Sequence, residues 1–251
     1  AQAVIAAALA EGRDQLAPAE ARSVLEAYRI PLAPEGAAPA PEAHPLVLGI
    51  DDDPLFGPVL LFGQGGAAAE LLHDGVAALP PLNAVLARDL MMRARVWRLL
   101  QGYRGRPPAD LDAVALALVK LSQLAADLSE VTALRINPLL AGAGGVLAPG
   151  AAIRVRPPLP PGTPRFAIRP YPQRLVQHLA LRDGREVTLR PVRPEDEPAI
   201  REMLQRSSPD DVRLRFFSAM RSFSHEFAAR LTQIDYDREM AFIVVEPGTA
   251  F

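Results

Sequence analysis

Residues 134–155 read LRINPLLAGAGGVLAPGAAIRV. Leu134 to Asn137 has the character of an extended run, the AGAGG segment at 141–145 that of a reversal, and Ile153 and Val155 that of a second extended run. Glycine enters positive φ without steric penalty, which a tight reversal between two strands requires. Pro138 biases the residue before it towards extended backbone, so the Asn137 side chain is expected to project from the sheet towards a ligand. A second reading keeps the same hairpin and has Asn137 capping its own turn.

Composition sets the outer bounds. A chain of 251 residues is long enough for two ordinary domains, and a hydrophobic content of 49% suffices for real cores. The formal net charge is −2 and no Lys/Arg run occurs, so no nucleic-acid partner is expected. The absence of cysteine excludes disulfides, thiolate catalysis and zinc–cysteine sites. No stretch of eighteen apolar residues runs without charge or proline, and the Ala-rich start lacks a basic segment, so neither a membrane span nor a signal peptide is expected. A cytoplasmic location is the default. Lys120 is the only lysine. The chain opens on Ala1 and stops at MAFIVVEPGTAF, just past a strand pattern, so both ends read as cut from something longer.

Residues 1–32 carry two helix patterns, with Val4, Ile5 and Leu9 on the first and Val24, Leu25 and Tyr28 on the second, which Pro18 opens. Residues 33–45, APEGAAPAPEAHP, are a low-complexity Ala/Pro linker. Residues 46–66, LVLGIDDDPLFGPVLLFGQGG, read as a strand at Leu46–Ile50, a turn at Asp51–Pro54, a strand at Val59–Phe62 and a Gly loop. Such a loop can receive an anion on its backbone amides, although most are only turns. The three aspartates at 51–53 point in different directions if adjacent in a turn, which favours a solvated turn over a metal cluster. A long helix is expected across LNAVLARDLMMRARVWRLL, with Val85, Leu86, Leu90, Val96, Leu99 and Leu100 on its core face. A second helix follows Pro107 and Pro108. His73 beside Asp74 lacks a second ligand and reads as a surface or capping residue.

Several strings together carry a resemblance: INPLL with its Gly turn, FGP…FGQGG followed by Glu70, and GYRGRPPADLDA. They are similar to the ATP-grasp domain of ADP-forming acyl-CoA synthetases and succinyl-CoA synthetases. The resemblance implies a cofactor-binding set of Gly63, Gly65, Gly66, Glu70 and Asn137, with ATP, magnesium and CoA as the family's ligands. It also implies a metal-binding hairpin in which a carboxylate, Asn137 and a return-strand carboxylate hold magnesium. Here the two acidic positions are Arg135 and Gly150, and a third acidic position, at the opening of the first strand, is Pro45. Magnesium takes hard oxygen ligands and is repelled by a guanidinium, which argues against ATP with magnesium here. The nucleotide-clamping lobe of the family would fall at 33–45 and is missing, and Arg29 stands where the lead-in helix of the family ends in glycine.

Residues 156–172, RPPLPPGTPRFAIRPYP, form a Pro-rich linker. Beyond it, LRPVRPEDE, RFFS and DYDREMAFIVV resemble the GNAT acetyltransferase domain fused behind an acyl-CoA synthetase in bacterial protein acetyltransferases. The expected elements are a strand at Val187–Val192, a helix whose first turn holds Glu195, Asp196 and Glu197, a short helix with Phe216 and Phe217, a helix capped by Ser224, and a buried strand MAFIVV. The resemblance implies acetyl-CoA as acyl donor, and it puts the GNAT base beyond Phe251, leaving the catalytic residue unassigned.

The fold expected is therefore α/β: a partial ATP-grasp, succinyl-CoA synthetase-like domain at 46–155 followed by the N-terminal part of a GNAT α+β domain at 173–251. By resemblance the function is acyl transfer from CoA to a protein lysine, with an inactive ligase half. The partners are acyl-CoA and a protein lysine, with a second copy of the chain a further candidate. The alternatives are a non-catalytic regulatory or scaffold module, and a decayed reading frame.

Overall fold

In strand β1, His44–Asp53, the alternate residues Leu46, Leu48 and Ile50 are fully buried, and antiparallel β2, Gly57–Gln64, brings Leu60 and Phe62 beside them. This period of two is what sheds one face of a sheet into a core. The computed structural model describes residues 1–34, 36, 42–66, 75–103, 105–160, 163, 165–167, 171–218, 220, 222–236 and 238–246. The chain divides into two compact units, Ala1–Ala167 and Ile168–Phe251.

The first unit is built on an antiparallel sheet in which β3 (Val76–Ala78), β2, β1 and β4 (Val131–Gly142) follow one another in space. The free edge of β4 takes two short return strands, β5 (Gly145–Leu147) and β6 (Ala152–Val155). The hairpin expected at 134–155 is therefore present, with its return side split in two. Helices α1 (Gln2–Ala10) and α2 (Pro18–Ala27) contribute Ile5, Ala8, Ala21, Val24 and Leu25 to the core. Helix α3 (Ala84–Arg93) begins at Asn83, whose side chain accepts the Leu86 N–H, and the short α4 (Trp97–Leu100) follows it. Helix α5 (Leu111–Asp127) is capped by Asp110 and packs on β1, β2 and β5.

Two expectations change here. The long helix over 82–100 is broken: Ala94 is extended, at φ −78° and ψ 144°. On a straight helix, at about 100° per residue, Val96 would fall roughly 120° and Leu100 roughly 80° from Leu90, at the limit of one apolar face. The break buries them and leaves Leu99 exposed. The Asp51–Pro54 turn is shorter than expected, because all three aspartates belong to β1. They diverge as side chains nonetheless: Asp51 meets Arg135 at 3.1 Å, Asp52 meets Arg156 at 2.7 Å, and Asp53 accepts the N–H groups of Leu55 and Phe56.

The second unit is a three-stranded antiparallel sheet, β7 (Gln177–Ala180), β8 (Glu186–Pro191) and β9 (Phe242–Val245), in that order. Among the described residues three α-helices accompany it: α6 (Glu197–Arg206), α7 (Pro209–Phe216) and α8 (His225–Thr232). Ser224 caps α8 by accepting the Phe227 N–H at 3.1 Å, as its position before the helix suggests. Asp196 departs from its expected role as a dipole partner. It is buried, takes Arg190 on both oxygens at 2.7 and 2.8 Å, and also accepts the Arg193 N–H. The strand expected to be buried, β9, is an edge strand of this sheet, with Phe242 and Val244 exposed.

Candidate functional site

One face of the first sheet carries the helices; the other carries the residues singled out in the sequence. Strand β1 pairs with β4 so that Gly49 faces Arg135 and Asp51 faces Ala133, and with β2 so that Val47 faces Gly63 and Gly49 faces Leu61. Leu134 and Ile136 point into the core, whereas Arg135 and Asn137 stand on the exposed side. The alternation along a strand puts these two on one face.

Asn137 does not cap its own turn. Leu46 pairs with Leu139 and Leu48 with Ile136, so Asn137 and Pro138 together oppose the single residue Val47 in a β-bulge. Proline is at home in a bulge because it has no ladder N–H to lose. The Asn137–Pro138 peptide is cis. From the bulge, the Asn137 Oδ1 accepts the Gly66 N–H at 2.7 Å, across 71 residues of sequence. The loop and the hairpin named from their separate sequence patterns are thus joined by one hydrogen bond.

The glycines of that loop have distinct roles. Gly63 lies within β2 opposite Val47 and, like Gly49, places no side chain on the site face. Gly65 donates its N–H to the Pro45 carbonyl at 2.9 Å, and a Cβ there would sit 2.3 Å from the Leu46 carbonyl group. Gly66 has φ +74° and lies against the Pro45 ring. The Gln64 amide also donates to the Pro45 carbonyl, at 3.0 Å. Pro45 therefore anchors the loop with its backbone. Glu70, with its neighbours His73 and Asp74, lies outside the described residues.

Arg135 lies along its neighbouring strand. Its Cζ and Nε are 3.5 Å from where a Cβ on Gly49 would be, and its Nη2 reaches Asp51 Oδ2 at 3.1 Å. Gly150 lies in the segment between the two return strands, after Leu147, which faces Leu140, and before Ala152, which faces Arg135. A Cβ on Gly150 would meet nothing within 4 Å. The magnesium set implied by the resemblance does not fit these residues. Arg135 is a cation already held by a carboxylate, Asn137 has its oxygen engaged on an amide, Gly150 has no side chain, and Pro45 no acid.

Sequence reasoning missed Asp51 as the partner of Arg135 and Gly49 as the floor beneath it. Arg135 and Asp51 are 84 residues apart in sequence, and only strand register pairs them. His44, which opens β1, was also missed as a feature. It is buried, its Nε2 finds no partner among the described residues, and burial, with Arg106 adding to it, holds its imidazole below the ordinary value.

Residues 37–155 match the ATP-grasp domain family. An ADP-forming acetate–CoA ligase of Archaeoglobus fulgidus is 37% identical over 94 residues, which are 38% of this chain and 14% of that protein. The beta subunit of the Pyrococcus furiosus ADP-forming acetate–CoA ligase I is 33% identical over 101 residues, 40% of this chain and 44% of that one. The chain thus spans less than half the length of these relatives. An acetyltransferase of Pseudomonas aeruginosa is 36% identical over 66 residues, 26% of this chain and 36% of its own length. Among solved structures, a dinucleotide-forming acetyl-coenzyme A synthetase 1 chain of Ca. Korarchaeum cryptofilum, in complex with coenzyme A and Mg-AMPPCP, superposes with a TM-score of 0.58 at 22% identity. The match covers 62% of this chain and 99% of that one. The first unit therefore has the mixed α/β fold of an ATP-grasp domain, with homologues among ADP-forming acyl-CoA ligases.

Proposed function

We propose that this chain is part of an acyl-CoA-handling protein whose ATP-grasp half no longer carries out ATP-dependent ligation. The observation that carries this reading is the Arg135–Asp51 ion pair on the hairpin face where magnesium would be needed. Ligation through an acyl phosphate needs metal-neutralised phosphates, and a guanidinium already paired to a carboxylate cannot coordinate a cation. The homologous ligases support acyl-CoA as the class of small molecule.

The second unit supports a finer reading, transfer of an acetyl group from CoA to a protein lysine. Its strand, helices and antiparallel strand follow one another as the GNAT resemblance implies, and part of the chain is similar to an acetyltransferase. A regulatory or scaffold role for the first unit is compatible with this. The test is a thermal-shift titration of the chain with ATP and magnesium, and separately with acetyl-CoA, coupled to an assay for ADP release. The expected result is no ADP and a shift with acetyl-CoA. ADP release would overturn the silent-ligase reading, and no shift with acetyl-CoA would overturn the acyltransferase reading for this chain.

A further inference from the structure

Among the positions where the resemblance puts magnesium ligands, Arg135 has reversed its polarity rather than merely lost it. Arg135 offers only N–H donors. Its side chain is 44% exposed, and one nitrogen, Nη2, meets Asp51. Asn137 is oriented likewise: the Gly66 N–H can only donate, so the group facing it must be Oδ1, and Nδ2 has no partner among the described residues. Gly150, between the two return strands, adds neither donor nor acceptor from a side chain. Beneath them, Gly49 and Gly63 place no side chains on this face, where Val47 and Leu61 flank them, and the guanidinium lies against Gly49. An exposed ion pair is weakly held and leaves the remaining guanidinium donors open to a second acceptor. The planar fork of Arg matches two phosphate oxygens at once.

We propose that this face takes a phosphate oxyanion directly on Arg135 and Asn137, with no divalent cation, the guanidinium supplying the neutralising charge. The proposal rests on the reading above that the hairpin has lost its magnesium. ATP and coenzyme A both carry the required group, and they are distinguished by titrating each.

Isothermal titration calorimetry of the whole chain with ATP, and separately with coenzyme A, in excess EDTA and again in magnesium, tests this. At least one of the two is expected to bind in EDTA, within about threefold of its affinity in magnesium. Arg135→Glu should weaken the EDTA binding by about tenfold and recover it when magnesium is added. Asp51→Asn, which frees the guanidinium, should bind in EDTA at least as tightly as the parent chain. Both side chains are nearly half exposed, so the variants should keep the parent circular dichroism spectrum. Absence of binding in EDTA, or EDTA binding that Arg135→Glu leaves unchanged, overturns the proposal. ADP release in the magnesium samples would instead overturn the silent-ligase reading, while its absence alongside absent EDTA binding sinks only the phosphate site.

Discussion

Arg29 ends α2 at φ +55°, the left-handed conformation in which glycine is free and a Cβ is crowded. The resemblance places glycine at this position, and the backbone geometry here is one that glycine adopts without strain. Lys120, the only lysine, donates to the Arg29 carbonyl at 2.5 Å and ties this helix end to α5. Arg29→Gly should therefore raise stability by about 0.5–1 kcal/mol, seen as a higher urea midpoint at unchanged slope. His44 makes a second prediction at this scale. Its imidazole titrates below the ordinary 6.5 when folded. Above that value both states are neutral and the folded chain has its full stability. As the pH falls below it, the unfolded chain takes up a proton that the folded chain refuses, so stability declines until the folded value is passed. Denaturation midpoints of the parent chain should fall between neutral pH and pH 5 more steeply than those of His44→Leu.

At the scale of elements, the Gly loop after β2 and the bulge in β4 form one device. A Cβ on Gly65 would overlap the Leu46 carbonyl group, so Gly65→Ala must displace either the loop or β1. A cost of about 2–3 kcal/mol is expected, read by chemical denaturation. Asn137→Ala removes only the exposed bond to Gly66 and should cost about 1 kcal/mol, with faster amide exchange at Gly66 as its local signature. The Gly–Gly pair was legible in the sequence as a turn that could bind an anion, and Asn137 as a projecting amide. That the two meet was not legible, because their contact is set by the register of β1 between β2 and β4. The same holds for the helix broken at Ala94, where burial of Leu90, Val96 and Leu100 together prevailed over helix continuity. In the second unit, the buried Arg190–Asp196 pair holds the β8–α6 junction, with Tyr171 and Tyr236 donating to the Pro191 and Val192 carbonyls. Asp196→Ala strands a largely buried guanidinium and should cost about 2–3 kcal/mol.

For the molecule as a whole, the two units differ in how much core they own. The first buries one continuous cluster between its helices and one face of the sheet, whereas the cluster described in the second centres on Leu204, Val212 and Phe223. Hydrophobic burial dominates folding stability, so the second unit should unfold at lower denaturant. Trp97, the only tryptophan, lies in the first unit and reports on it alone. Far-ultraviolet circular dichroism should begin to change at lower urea than Trp97 fluorescence; coincident curves would show one cooperative transition instead. Local pattern by itself determined the hairpin at 134–155, the two opening helices, the Gly loop and the helix cap at Ser224. These depend on side chains close in sequence, through strand alternation, backbone freedom and the chemistry of single residues. Only the tertiary structure decided what Arg135 and Asn137 do, because an ion pair to Asp51 and a hydrogen bond to Gly66 require strand register, and register is a property of the sheet.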